Sequence, residues 1–139
     1  MSADEQNKAA VRKCFASASE GNYDALHEIV SEDYVLHPDD VTGVAGLTEM
    51  VEGYRSAIGD LRVRVDQQFT EDDFVATRFT ILGTHTGELM GASPTGKELA
   101  FSGVTISRCH DGRIVEEWEL TDTLGLLRQL GALPAMAGS

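Results

Sequence analysis

Three carboxylates, Glu116, Glu117 and Glu119, surround Trp118 on one short segment, and a further acid, Asp122, stands at its end. The segment reads as a half-buried strand, where acids beside an indole cost solvation free energy unless they are paired or used. Alternation puts Ile114, Glu116, Trp118 and Leu120 on one face, and Val115, Glu117, Glu119 and Thr121 on the other. The Asp111-Gly112 dipeptide predicts a tight hairpin turn that sets the register. Glu116 then lies near Arg108 as a cross-strand ion pair, and Glu119 lies across from Val104 or Thr105. A carboxyl held in an apolar cavity has its ionised form disfavoured, which raises its pKa toward values useful for acid/base work. Glu119 is therefore the first candidate catalytic residue. His37 and His85 sit on separate predicted strands and are candidates for hydrogen-bonding or acid/base groups in the same cavity; satisfied structural histidines fit the pattern equally well. Trp118, Phe79, Phe101 and Tyr54 are candidates for lining an apolar pocket, though core packing also accounts for each. Thr105 and Asp122 complete the candidate substrate-binding set.

Other motifs carry less chemistry. Gly91-Ala-Ser-Pro-Thr-Gly96-Lys97 has phosphate-loop spacing, but Glu98 replaces the Ser or Thr that would hold magnesium. Strand-like residues also follow where a helix N-terminus is required, so the segment predicts a hairpin loop. His37-Pro-Asp-Asp40 with His85 offers nitrogen and oxygen ligands without diagnostic metal-site spacing, and no metal is expected. No nucleophile elbow is present. Cys14 lies on an apolar helical face and reads as buried and inert.

The elements that must position these residues follow from periodicity. Ser2 to Glu5 has capping-box spacing ahead of Val11, Cys14, Phe15 and Ala18, predicting a helix that ends near Gly21. Asn22 caps a second helix with Ala25, Leu26, Ile29 and Val30 inside. Tyr34 to His37 reads as a short strand stopped by Pro38. Leu47, Met50, Val51, Tyr54 and Ile58 have helical spacing. Beyond Asp60 the period becomes 2, with Leu61, Val63, Val65, Gln67 and Phe69 on one face. Strands follow at 74–86, 99–109 and 113–121, then a short helix carrying Leu124, Leu126, Leu127 and Leu130. Helices followed by a meander imply an α+β domain. We expect a cone-shaped α+β barrel: N-terminal helices packed on a strongly curved, mainly antiparallel sheet, with bulges at Gly83, Gly87 and Gly103 supplying curvature. One domain over 1–139 is expected, with its core at about 4–131 and a flexible tail at 132–139.

The formal net charge of −12 argues against nucleic acid or an anionic membrane as partner. No segment approaches the ~20 apolar residues of a membrane span, and no secretion signal is visible. Two well-separated cysteines favour a reduced, cytoplasmic setting. An open sheet face bearing Val63, Val65 and Phe69 suggests a homodimer.

Several segments resemble the SnoaL-like polyketide cyclase family of the nuclear-transport-factor-2-like superfamily. They are Tyr34-Val-Leu-His37-Pro38, Gly83-Thr-His-Thr-Gly-Glu88, Ser93 to Lys97, Phe101-Ser-Gly103, Asp111 to Trp118, and Asp122 to Gly131 with its Gln-Leu-Gly ending. The resemblance implies intramolecular aldol ring closure without metal or cofactor, on a hydrophobic polyketide-like small molecule. It places the family's last-strand aspartate at Glu119 and the facing histidine of the preceding strand at Thr105. Two alternatives accompany it: an epoxide hydrolase or epoxide-opening cyclase, and a non-catalytic small-molecule binding protein.

Overall fold

The computed structural model describes residues 2–132; from 133 onward the expected tail lies outside the described residues. The elements run α1 (Ala3–Glu20), α2 (Tyr23–Ile29), β1 (Val30–His37), β2 (Val41–Thr42), α3 (Gly43–Ala57), β3 (Ile58–Glu71), β4 (Phe74–His85), β5 (Glu98–His110), β6 (Arg113–Thr121) and α4 (Thr123–Leu130). Capping fixes the helix ends as the sequence suggests. Ser2 Oγ accepts the Glu5 N–H, and Gly21 closes α1 in the left-handed conformation with φ 75°, which costs glycine no Cβ clash. Asn22 caps α2 through the Ala25 N–H. Val30 and Ile58, expected on helical faces, instead open β1 and β3 in extended conformation. Both are β-branched, and extended backbone relieves the χ1 crowding of a helix.

The six strands form one open mixed sheet in the order β2-β1-β6-β5-β4-β3. All pairings are antiparallel except β1 with β6, which run parallel. With the helices on its inner side, this is the cone-shaped α+β fold anticipated from the element order. Among the described residues no helix is long and apolar enough to cross a membrane. Cys14 and Cys109 are both free and buried.

Curvature arises at irregularities that the glycines marked only in part. On β3, Asp60 and Leu61 stand opposite Gly83, and Asp66 is an extra residue between the pairs Val65–Phe79 and Gln67–Arg78. On β6, Val115 is an extra residue between the pairs Cys109–Ile114 and Arg108–Glu116. Each insertion flips the alternation beyond it. Phe69 therefore faces outward and is 64% exposed, whereas Val63 faces inward; the expected outer face of Val63, Val65 and Phe69 does not exist as such. Ile114 is likewise buried rather than sharing a face with Glu116 and Trp118.

Gly87 and Gly103 have a different purpose from the one expected, because both lie outside the bulges and permit close approach. A Cβ on Gly87 would sit 2.2 Å from Ser56 O, and one on Gly103 would sit 2.6 Å from Phe79 Cζ and 2.9 Å from Leu120 O. The β4–β5 ladder itself is regular throughout. The Gly103→Ala variant should lose about 1–3 kcal/mol through overpacking. Urea unfolding would show it as a lower midpoint at unchanged slope.

Candidate active site

The inner face of the sheet is not uniformly apolar. Gln68, Thr77, Thr105 and Glu119 stand directly opposite one another across β3, β4, β5 and β6. This polar row separates two hydrophobic clusters, one around Leu26, Val30, Tyr34 and Val75, the other around Ile58, Phe79, Leu99 and Phe101. Gln68 Nε2 donates to Thr77 Oγ1, and Arg12 donates to Gln68 Oε1. The Thr105 hydroxyl donates to Glu119 Oε1 at 3.2 Å.

Glu119 projects into a small chamber of about 70 Å³ walled by Phe15, Met50, Tyr54, Leu61, Phe79 and Ile81, among others. Glu119 is the one charged group in that wall. Met50 and Tyr54 also border two wider hollows that continue to the surface, of about 220 and 450 Å³. Asp39 and Glu88 stand at this mouth, and no lysine or arginine lines any of the three spaces. Burial, reinforced by the charge of Glu117, pushes the Glu119 carboxyl up to about 7, although the Thr105 hydrogen bond opposes the rise. Tyr54 is raised as well, first by burial and then by the charges of Glu119 and Asp39. The result is a carboxyl poised near neutrality beside a phenol, both facing a largely apolar chamber that opens to solvent.

Glu119 and His37 both line the 220 Å³ hollow, but neither candidate histidine is placed against the carboxyl. β1 runs beside β6 with His37 directly opposite Trp118, so its ring falls on the outer face. There His37 Nε2 meets Glu116 Oε2 at 2.8 Å, Nδ1 meets Asp40 Oδ1 at 3.1 Å, and the ring stacks on Trp118 at 5.4 Å. The hydrogen bond to Glu116 holds His37 above its ordinary pKa and holds Glu116 below its own. Arg108 completes this outer cluster by donating to Glu116 Oε1 at 3.2 Å, the cross-strand pair expected from the turn. His85 is fully buried on the inner side of β4, but its Nδ1 accepts the Thr95 amide at 3.1 Å. Its Nε2 therefore carries the proton and lacks a partner among the described residues. Backbone bonds from His85 N–H to Lys97 O and from Gly96 N–H to His85 O tie the same residue to the 86–97 loop. Neither histidine is bonded to Glu119, and among the described residues no cluster could hold a metal ion.

The other candidates divide similarly. Tyr54, Phe79 and Thr105 belong to the chamber or support its acid. Trp118 does not line the pocket: it lies on the outer face, 39% exposed, because alternation separates it from Glu119. Phe101 packs inside the second hydrophobic cluster. Asp122 caps α4, its Oδ1 accepting the Gly125 N–H at 2.9 Å. What the sequence reading passed over is Glu117. It is buried, and each of its oxygens accepts from a hydroxyl: Oε1 from Tyr34 and Oε2 from Ser107, both at 2.5 Å. The alternation that singled out Glu119 places Glu117 on the same face, so that signal was present.

The family model described as SnoaL-like polyketide cyclase matches residues 8–130. Aklanonic acid methyl ester cyclase AcmA of Streptomyces galilaeus is 28% identical over 131 residues, covering 88% of this chain and 89% of AcmA. The crystal structure of AclR from the same organism, described as a candidate hydroxylase, superposes with a TM-score of 0.82 at 31% identity, covering 96% of this chain and 86% of AclR. IdmH of Streptomyces antibioticus, described as a candidate polyketide cyclase, gives 0.80 at 28% identity, covering 91% and 99%.

The raised pKa of Glu119 has a consequence for stability that needs no substrate. The folded protein holds this proton more tightly than the unfolded chain, whose carboxyl titrates near 4.5. Stability present at pH 4.5 is therefore lost as the pH rises through about 7, by up to about 3 kcal/mol. Glu119→Gln should flatten that loss. Thermal melts of both proteins between pH 5 and pH 8.5 would check it, with the variant gaining relative to wild type at the alkaline end.

Proposed function

Because the chain belongs to the SnoaL-like polyketide cyclase family, we propose that it closes a ring in a neutral, polyketide-like ester by intramolecular aldol addition, with Glu119 moving the proton. The observation that carries this reading is a single carboxyl, titrating near neutrality, in an otherwise apolar chamber. The Glu119 carboxylate removes a proton from the carbon between two carbonyls, leaving an enolate. That carbon attacks a second carbonyl of the same molecule, forming the carbon–carbon bond. The carbonyl π electrons pass to oxygen, and the alkoxide takes the proton back from Glu119. Atoms balance, and the product is an isomer of the substrate. Tyr54, which faces all three spaces, donates its phenolic O–H to the oxygen on which charge develops, an oxyanion-type role. Asp39 and Glu88 at the mouth disfavour a free carboxylate, and the one basic side chain on its rim, His37, is already held by Glu116 and Asp40. An ester, as in the substrate named for AcmA, avoids that repulsion.

Incubating the protein with a poly-β-keto methyl ester and following product mass separates the readings. Ring closure leaves the mass unchanged, epoxide opening by water adds a water molecule to an epoxide substrate, and hydroxylation of the kind suggested for AclR adds an oxygen atom. Glu119→Gln should lower kcat by roughly 10²–10⁴ and Tyr54→Phe by roughly 10²–10³. Turnover by Glu119→Gln at the wild-type rate would end the proposal. Tight ligand binding with no turnover by wild type would establish a binding protein instead.

For the outer sheet face we propose burial against a second copy of the chain. Phe69, Ile106 and Trp118 lie in one row across the strands, and Val104 and Leu120 in the next; Leu120 is 75% exposed. Arg64, Arg78 and Arg108 on this face oppose Asp66, Glu71 and Glu116, so the face is close to charge-balanced although the chain carries −12. A two-fold axis would bring the arginine-rich end of one copy over the acidic end of the other. Light scattering at micromolar concentration should give twice the chain mass, and the Phe69→Asp/Ile106→Asp double variant should give the monomer. A wild-type monomer at that concentration would refute the proposal.

A further inference from the structure

Glu117 and Glu119 are neighbours on the inner face of β6, and neither takes part in an ion pair. Around them are Cys14 from α1, Tyr34 from β1, Tyr54 from α3, and Thr105, Ser107 and Cys109 from β5; none is a cation. The charge of Glu117 reaches Cys14, Tyr34 and Cys109, contributing to the raised pKa of each, about 11 for Cys109. Two carboxyls so placed cannot both ionise without like-charge repulsion in a poorly solvated space, and they titrate as a coupled pair.

The hydrogen bonds decide which of the two takes the first negative charge. Both oxygens of Glu117 accept from hydroxyls at 2.5 Å, the length typical of an O–H donor on a carboxylate. Glu119 receives one hydroxyl, at 3.2 Å. Burial raises both carboxyls, but donors stabilise the ionised form and Glu117 has two short ones against the single long one of Glu119, so Glu117 loses its proton first and Glu119 keeps the remaining one. We propose that Glu117 is a positioning residue for Glu119: a sealed negative charge, held ionised by Tyr34 and Ser107, that strengthens the proton affinity of the substrate-facing carboxyl. Its role in turnover rests on the reading of Glu119 as the proton-moving group, while the proton arrangement does not.

Carbon-13 NMR titration of the full chain, labelled at glutamate carboxyls and assigned with Glu117→Gln and Glu119→Gln, tests the arrangement directly. Glu117 should titrate at the lower pH. Glu117→Gln should lower the Glu119 midpoint by about one pH unit, whereas Glu119→Gln should leave the Glu117 midpoint nearly unchanged, because Glu117 ionises while Glu119 is still neutral. Tyr34→Phe and Ser107→Ala keep Glu117 but weaken its ionised form. Each should raise the Glu117 midpoint toward that of Glu119, whereas mere loosening of the core would lower it by admitting water. These two also carry the test if Glu117→Gln fails to fold. An unmoved Glu119 midpoint in Glu117→Gln, an unmoved Glu117 midpoint in Tyr34→Phe and Ser107→Ala, or Glu117 titrating above Glu119 in the wild type overturns the proposal. The pH profile of kcat should move to lower pH in Glu117→Gln by the same amount as the NMR midpoint. Movement of the NMR midpoint without the kinetic profile would sink the assignment of Glu119 as the proton-moving group and leave the pair intact.

Discussion

One extra residue, Val115, in the ladder between β5 and β6 decides which acids face the interior. From the Asp111-Gly112 turn the strands pair as His110 with Arg113 and Cys109 with Ile114, and then Val115 bulges so that Arg108 meets Glu116. Without the bulge Ser107 would oppose Glu116, and Thr105 would oppose Trp118. The inner face would then present Glu116 and an indole, and Glu117 and Glu119 would point to the outside. A one-residue slip exchanges the two faces of a strand completely. The chamber, its acid, the hydroxyl caps on Glu117 and the His37–Glu116–Arg108 cluster all depend on that single insertion.

The same geometry accounts for the divided core. A row of Gln68, Thr77, Thr105 and Glu119 across the sheet interrupts what would otherwise be one continuous hydrophobic cluster. Buried polar groups of this kind are tolerable only when bonded, and here each is: Gln68 to Thr77, Thr105 to Glu119, and Ser107 and Tyr34 to Glu117. The polar row costs stability that a fully apolar core would have kept. Its return is a carboxyl whose ionisation is controlled by its surroundings, and polar side chains on regular strands hold that carboxyl more rigidly than a loop would.

Much of this was legible in the chain. The order of elements, the caps at Ser2 and Asn22, the Asp-Gly hairpin, the Arg108–Glu116 pair and the inward direction of Glu119 follow from local rules of period and turn chemistry. What escaped is what local rules do not contain. The bulge at Asp66 turned Phe69 outward, and nothing in the alternating pattern announces an inserted residue. His37 was expected beside Glu119; it lines the same outer hollow, but the parallel pairing of β1 with β6, residues far apart in sequence, puts its ring against Trp118. Gly87 and Gly103 looked like bends. They are contacts, made necessary by a helix end at Ser56 and a ring at Phe79 that the glycine positions alone do not reveal.

The departure from the family pattern bears on how the chemistry is divided. The resemblance implies an aspartate facing a histidine, two groups able to share the taking and giving of a proton. Here the facing residue is Thr105, which donates one hydrogen bond and does not titrate in the working range, and both candidate histidines are bonded to groups other than Glu119. Under the proposed aldol reaction a lone carboxyl would act as base in one step and acid in the next. That is efficient only if its pKa lies close to the working pH, since a group far below it would be a weak base and one far above it a weak acid. An ordinary glutamate near 4.5 would meet the first demand poorly, being too weak a base. Burial, together with the charge of Glu117 behind it, moves Glu119 to about 7, the range in which one side chain performs both roles.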